Sequence, residues 1–376
     1  MDKNTYKLLT PGPLTTSVGV KEAMLIDRCT WDADYKDMTQ SVRRQLLELA
    51  HAEKAGYTAV LMQGSGTFGV ESVLSSVIAP SDKLLILQNG AYSKRMAEMA
   101  EYHNLSYVVY EEDYAKIPDA QIVEELLQSD REITHIAMVH SETTSGILND
   151  IETIGQLAKK YGKKFIVDAM SSFGGVDIDV PATGITYLVS SANKCIQGVP
   201  GFSFIIAETA DLKKCRGLAH SLSLDLYAQW ETMEKDGGKW RFTSPTHVVA
   251  AFAQALEELK AEGGIAVRNQ RYAATNKALR EGMEAMGFKA FIASSLQGPI
   301  ITTFFYPENA AFTFAEMYAY LKDRGYVIYP GKLTDAETFR LGNIGEIYME
   351  DVEKILAIFK AFTEEHKNEQ NKGCNI

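Results

Sequence analysis

The chain has 376 residues, 46% hydrophobic and 23% charged, ordinary values for a soluble protein long enough to divide its core over two domains. Its net charge of -11 argues against nucleic acid and anionic lipid as partners, so an anionic ligand would need a local basic pocket. The four cysteines (Cys29, Cys195, Cys215 and Cys374) lie far apart without a CxxC spacing, which argues for reduced thiols and against a disulfide framework or a zinc knuckle.

The opening residues, MDKNTYKLLTPGPLTT, lack the apolar stretch of a signal peptide, and no run of about 18 apolar residues follows, so the expected location is the cytoplasm. A regular alternation then begins. YTAVLMQ (57–63) is a predicted strand, TFGVESVLSSVI (67–78) a helix and KLLILQ (83–88) a strand. Helical SKRMAEMAEYH, strand LSYVVY (105–110), helical DAQIVEELLQS, strand THIAMVH (134–140), helical IETIGQLAKKYG and strand KFIVDAM (164–170) continue it. ITYLVSS (185–191) and GFSFIIAE (201–208) complete the series. Short runs apolar on both faces, separated by helix-length segments, predict an α/β fold with a mostly parallel sheet between helices.

After about residue 245 the pattern changes. One long helical stretch, 247–287, is followed by strand-like IITTFFYP, GYVIYPG and TFRLGNIG and a terminal helix from about Met349. The expected organisation is a large α/β domain over 16–250 and a smaller α+β domain over 251–376, hinged on the long helix, with residues 1–15 packing near the latter. The polar end EEHKNEQNKGCNI is expected to fray.

Three stretches at strand ends have the residue types that chemistry needs. In MQGSGTFGVES, Gly64, Ser65, Gly66 and Thr67 lie between a strand and a helix, where backbone N–H groups could hold a phosphate or where Ser and Thr could simply cap a tight turn. In KKFIVDAMSS, Asp168 stands where an apolar strand runs out, and it either caps the next turn or meets a cation such as a protonated pyridine nitrogen. Lys194 ends the next apolar run, in SSANKCIQGVPG. It is either a solvated charge or an amine made nucleophilic by desolvation. Jointly, a phosphate cup, an acid for a ring nitrogen and a lysine for an aldehyde match pyridoxal phosphate.

These motifs, with LLTPGPLTT, CTWDADY, RFTSPTHVV and FRLGNIGEI, resemble the fold-type I, class V aminotransferases from about Leu8 to about Phe362. The resemblance implies a seven-stranded, mostly parallel sheet and pyridoxal 5'-phosphate held covalently by Lys194. It implies that Asp168 bonds the ring nitrogen, that Ser65, Gly66 and Thr67 hold the phosphate, that Tyr92 stacks on the ring and that Thr143 bonds its phenolic oxygen. It further implies a homodimer with shared active sites, in which Thr243, with Arg241 and Ser244 as competitors, closes the partner's phosphate site. Arg340 would bind the acidic group of the substrate. The expected reaction moves the amino group of 2-aminoethylphosphonate to pyruvate, with alanine:glyoxylate or serine:glyoxylate transamination as the alternative and a non-catalytic metabolite-binding relative as a remote one.

Neighbouring features have plainer readings. His140 and Glu142 form H-x-E without a following P-C-x-x-C, which argues against a zinc site. Cys195 is expected to pack, as are Trp31 and Trp240.

Overall fold

A computed structural model describes residues 6–308, 310, 312–333 and 337–373, with side chains to residue 366. Seven strands form its central sheet: β1 (Tyr57–Gln63), β2 (Lys83–Gln88), β3 (Ser106–Glu111), β4 (Ile133–Val139), β5 (Lys164–Asp168), β6 (Tyr187–Ser191) and β7 (Phe202–Glu208), in the spatial order β1-β7-β6-β5-β4-β2-β3. Only β7 is antiparallel to its neighbours β1 and β6. The chain between β6 and β7 has no room for a crossover helix, so it must turn back antiparallel, whereas the parallel pairs are joined by helices.

Burial follows the patterning. Leu84, Leu85, Ile86 and Leu87 of β2 are all at most 1% exposed, each contributing about 1.5–3 kcal/mol on leaving water. Helices α1 (Ala33–Leu49), α2 (Gly66–Val77), α3 (Ala91–Tyr102), α4 (Ala120–Ser129) and α5 (Ile151–Tyr161) precede or connect the strands. Their ends are chemically marked. Asp119 and Asp150 cap α4 and α5 by accepting from backbone N–H groups, and Gly162 closes α5 in the left-handed region at φ 64°.

The expected single long helix is two. α6 (Leu226–Lys235) leads to α7 (Thr246–Glu262), and Gly263 and Gly264, at φ 113° and 80°, then break the path before α8 (Gly264–Ala285). Consecutive positive φ angles are incompatible with a right-handed helix, and a Gly-Gly pair is the sequence signal for such a break.

Beyond α8, β8 (Ile301–Phe305), β9 (Tyr329–Pro330) and β10 (Thr338–Gly342) form a second sheet in the order β8-β10-β9, covered by α9 (Phe314–Asp323) and α10 (Met349–Gly373). The run GYVIYPG is split: Tyr326–Val327 pairs with the N-terminal Lys7–Leu8, and Tyr329–Pro330 pairs with β10. Helix α10 continues to Gly373, and Cys374, with the rest of the polar end, lies outside the described residues. One apolar core surrounds the seven-stranded sheet and includes α7. A second gathers Leu9, Met283, Phe288, Phe339 and Phe359 beneath the smaller sheet, and Tyr272, Cys195 and Ile301 join a minor cluster between them. Trp240 is buried edge-on to Phe202 as expected of a packing residue, but Trp31 is 69% exposed with Lys36 and Lys239 over its ring.

Candidate active site

The carboxyl ends of β5 and β6 and the turn after β1 open on one cavity of about 160 Å³, lined by Ser65, Gly66, Thr67, Tyr92, Asp168 and Lys194 and also by Arg95 and Asn193. In a doubly wound sheet this is where ligands gather, because strand ends and helix N-termini converge there.

Asp168 closes β5. Its Oδ1 accepts from the Met170 N–H at 2.8 Å, and among the described residues no basic side chain pairs with it. Burial therefore dominates and pushes its carboxyl up to about 7, against the Met170 bond and the more distant Lys194 and Arg95 charges. Such a group calls for a closer cation than the described residues supply.

Lys194 lies three residues beyond β6. Its ammonium donates to the carbonyl oxygens of Pro11 at 3.0 Å and Gly12 at 3.4 Å, so the N-terminal segment lies against the lysine. Desolvation lowers its pKa, while Tyr92, Cys195 and Asp168 oppose that fall. The neighbouring Cys195 is pushed up to about 12 by burial and donates to the Ser171 carbonyl, which makes it a packing residue rather than a nucleophile.

The cup at the start of α2 is not a conventional cap. Ser65 occupies the N-cap position in extended conformation, yet its side chain makes no capping bond, which leaves the hydroxyl and the first helical N–H groups directed to a ligand. Arg95, on α3, donates to the Thr67 hydroxyl at 3.4 Å and adds a positive charge beside the cup.

Tyr92 begins α3, and Thr143 and Arg340 sit beside its phenol. Burial works to raise the phenol, but Lys332, Lys194, Thr143 and Arg340 outweigh it, and the pKa ends below its usual value. Arg340, on β10, is 2% exposed; its Nε donates to the Pro330 carbonyl and its Nη1 to the Thr143 carbonyl, both at 3.0 Å. Six of the expected residues thus line one cavity, with Thr143 and Arg340 behind it. Thr243 does not line the cavity. It is exposed, whereas Ser244 is buried and accepts from the Tyr35 hydroxyl at 2.6 Å and Arg241 donates to the Leu222 carbonyl at 2.7 Å.

Several contributing residues were not marked by their sequence pattern. Glu142, fully buried, accepts from the N–H groups of Tyr92, Ser93 and Thr144 and from the Ser93 and Thr144 hydroxyls, so it caps α3 and holds Tyr92 in place. Its partner in the H-x-E pattern, His140, is buried and lowered to about 4 by desolvation, hence neutral. Arg95 has no local signature, and Pro11 and Gly12 lie in LLTPGPLTT, a motif that carries the resemblance without indicating that its carbonyls meet Lys194.

The description Aminotransferase class-V matches residues 29–334. The 2-aminoethylphosphonate–pyruvate transaminase of Lysinibacillus sphaericus is 57% identical over 366 residues, covering 97% of this chain and 100% of that one. A bifunctional phosphonoacetaldehyde hydrolase/aminoethylphosphonate transaminase of Clostridioides difficile is 54% identical over 96% of this chain and 57% of its own length. Among solved structures, ureidoglycine–glyoxylate aminotransferase of Bacillus subtilis superposes with a TM-score of 0.87 at 23% identity, covering 98% of this chain and 94% of that one.

Proposed function

Because the chain belongs to the class V aminotransferases, we propose that it moves the amino group of 2-aminoethylphosphonate to pyruvate, releasing phosphonoacetaldehyde and L-alanine, with pyridoxal 5'-phosphate as cofactor. The observation that carries the choice of substrate is 57% identity over the whole length of a transaminase named for it.

The residues present suit the cofactor. Asp168 is a buried carboxylate without a cation, and a protonated ring nitrogen supplies one. The uncapped Ser65, with Gly66, Thr67 and Arg95, offers N–H, hydroxyl and guanidinium donors to a phosphate. When bound, the group supplies an electron sink for charge developing on the amino-bearing carbon of the substrate.

The remaining work belongs to the protein. Lys194 is the residue that would hold the aldehyde of the cofactor, and its amine would be free to act once the substrate amine took its place. That amine, its pKa lowered by desolvation, would take the proton from the amino-bearing carbon of the donor and deliver it to the cofactor, and in the second half-reaction would carry a proton from the cofactor to the carbon that becomes the amino-bearing carbon of alanine. Tyr92 supports the ring face, Thr143 the phenolic oxygen, and Arg340 the anionic end of either substrate. Arg340 has two donors occupied by backbone carbonyls and also bonds the Tyr92 phenol, which fixes its plane and leaves its remaining N–H groups for the ligand.

The same proposal includes a homodimer in which Thr243 of the partner subunit completes the phosphate cup. Exposed apolar side chains support it: Trp31, Leu222 and Phe242 are 69%, 77% and 52% exposed, and Lys239–Trp31 and Arg241–Leu222 contacts join them into one surface beside Thr243. It also includes two domains, but α7 packs in the first core, so the expected boundary at 250/251 moves to the Gly263–Gly264 break, and the second core brings Arg340 toward Tyr92. Among the described residues no helix is long and apolar enough to cross a membrane.

Incubation of the purified protein with 2-aminoethylphosphonate and pyruvate tests the reading. Alanine and phosphonoacetaldehyde should accumulate in equal amounts. Turnover of alanine and glyoxylate, with none of the phosphonate, would overturn the substrate assignment.

A further inference from the structure

The hairpin that carries Arg340 brings a second cation to the same place. β9 pairs with β10 so that Tyr329 lies opposite Arg340, and the Gly331 N–H donates to the Thr338 carbonyl at 2.9 Å. Lys332 comes next, and its ammonium lies 4.0 Å from the centroid of the Tyr92 ring. The Arg340 guanidinium sits beside the phenol of that ring. Two cations of the second core therefore converge on one cavity-lining aromatic residue of the first. Among the described residues, no carboxylate pairs with either.

Among the described residues neither cation has a carboxylate in ion-pair range, Glu142 acting on Arg340 only from further off, so an anion bound beside Tyr92 would gain from both positive charges. The hold of Lys332 on the Tyr92 ring is the weak kind that an ammonium on a flexible stem can exchange for a charge. A carboxylate has one charge and two oxygens, which a single guanidinium satisfies bidentately. A phosphonate has a third oxygen and a second ionisation, so Arg340 alone leaves a charge unmatched.

We propose that Lys332 is the specificity residue that separates a phosphonate donor from a carboxylate acceptor, supplying with Arg340 the second positive charge at the anionic end of the substrate. This rests on the aminophosphonate reading above. Arg340 serves both half-reactions, and Lys332 serves the phosphonate one. The two substrates react in separate half-reactions, so kcat/KM for each reports its own binding step.

The test uses the holoenzyme and its Lys332→Met and Lys332→Arg variants, with cofactor absorbance as a check that the Tyr92 side of the site is intact. With Lys332→Met, kcat/KM for 2-aminoethylphosphonate should fall about tenfold or more, and that for pyruvate by no more than about twofold. Lys332→Arg should restore most of the loss. Equal losses for both substrates, or a fall in kcat with both KM values unchanged, would overturn the assignment and leave Lys332 a support for Tyr92. If the wild type does not turn over 2-aminoethylphosphonate at all, it is the underlying reading of the activity that fails, and this assignment falls with it.

Discussion

The Lys194 ammonium donates to the Pro11 carbonyl oxygen at 3.0 Å, joining residues 183 positions apart. The adjoining Gly12 holds φ 116°, and a Cβ built on it would lie 2.8 Å from the Lys194 Nζ. Gly12→Ala thus strains the backbone and displaces the reactive amine together. Its kcat/KM should fall by about a hundredfold, as expected for a misplaced reacting group, with slower trapping of cofactor on Lys194 by borohydride. Wild-type trapping and turnover would show that the N-terminal segment has no bearing on the lysine.

Asp168 links stability to pH in the cofactor-free protein. Its folded pKa is raised to about 7 from 3.8, so its contribution is fully present below about pH 4 and is lost as pH rises through 7. From 3.8 to about 7, at about 1.4 kcal/mol per pH unit, the loss is on the order of 4–5 kcal/mol. Asp168→Asn, which cannot ionise, should therefore gain stability over wild type between pH 4 and 8 when cofactor is absent, as read by thermal unfolding. With cofactor present the order should reverse, and activity should drop by at least about a hundredfold. A stability difference independent of pH contradicts this account.

Glu142 acts through α3. Glu142→Ala leaves the buried N–H groups of Tyr92, Ser93 and Thr144 without their acceptor and should cost about 2–4 kcal/mol in urea unfolding. Glu142→Gln keeps one acceptor oxygen and should lose about half as much. Cofactor affinity should fall in the same order, since Tyr92 loses its fixed position.

Arg340→Lys removes the planar fork. The cofactor should remain bound, while KM for both substrates should rise about tenfold or more, because bidentate pairing is lost for phosphonate and carboxylate alike. Unaltered KM values for both would remove Arg340 from the substrate site. The contrast with Lys332→Met, selective for one substrate, separates the two cations.

The shared active site predicts complementation. Thr243→Glu, which sets a carboxylate against the phosphate, and Lys194→Ala should each be nearly inactive as homodimers. Dimers reassembled from the mixture should recover roughly a quarter of wild-type activity, since half of the dimers are mixed and each has one intact site. No recovery in verified mixed dimers would place the phosphate site within one subunit.

How far the sequence could be read depended on whether a feature repeats along the chain. The strands of the central sheet were legible because burial on both faces writes continuous apolar runs, and Asp168 and Lys194 stood out as the polar residues that end two of them. The break at Gly263–Gly264 was legible in principle as a Gly-Gly pair, yet the helical periodicity on both sides concealed it. Residue type does not say where Trp31 packs: it is 69% exposed in the single chain, on the surface proposed to meet the partner subunit. Ser65 could be read either as a cap or as a phosphate donor, and only its unmade capping bond favours the second.

By itself the sequence determined the order of the strands and helices, the α/β class and the reactive groups at the strand ends, because these depend on local spacing and on which side chains leave water. The tertiary structure decided which of those groups stay unpaired. It put Pro11 over Lys194, turned Glu142 into the acceptor that caps α3, kept the described basic side chains out of ion-pair range of Asp168, and brought Lys332 and Arg340 to Tyr92. The physical reason is that charge, desolvation and hydrogen bonding act through space over a few ångströms, between residues that the chain separates by tens to hundreds of positions.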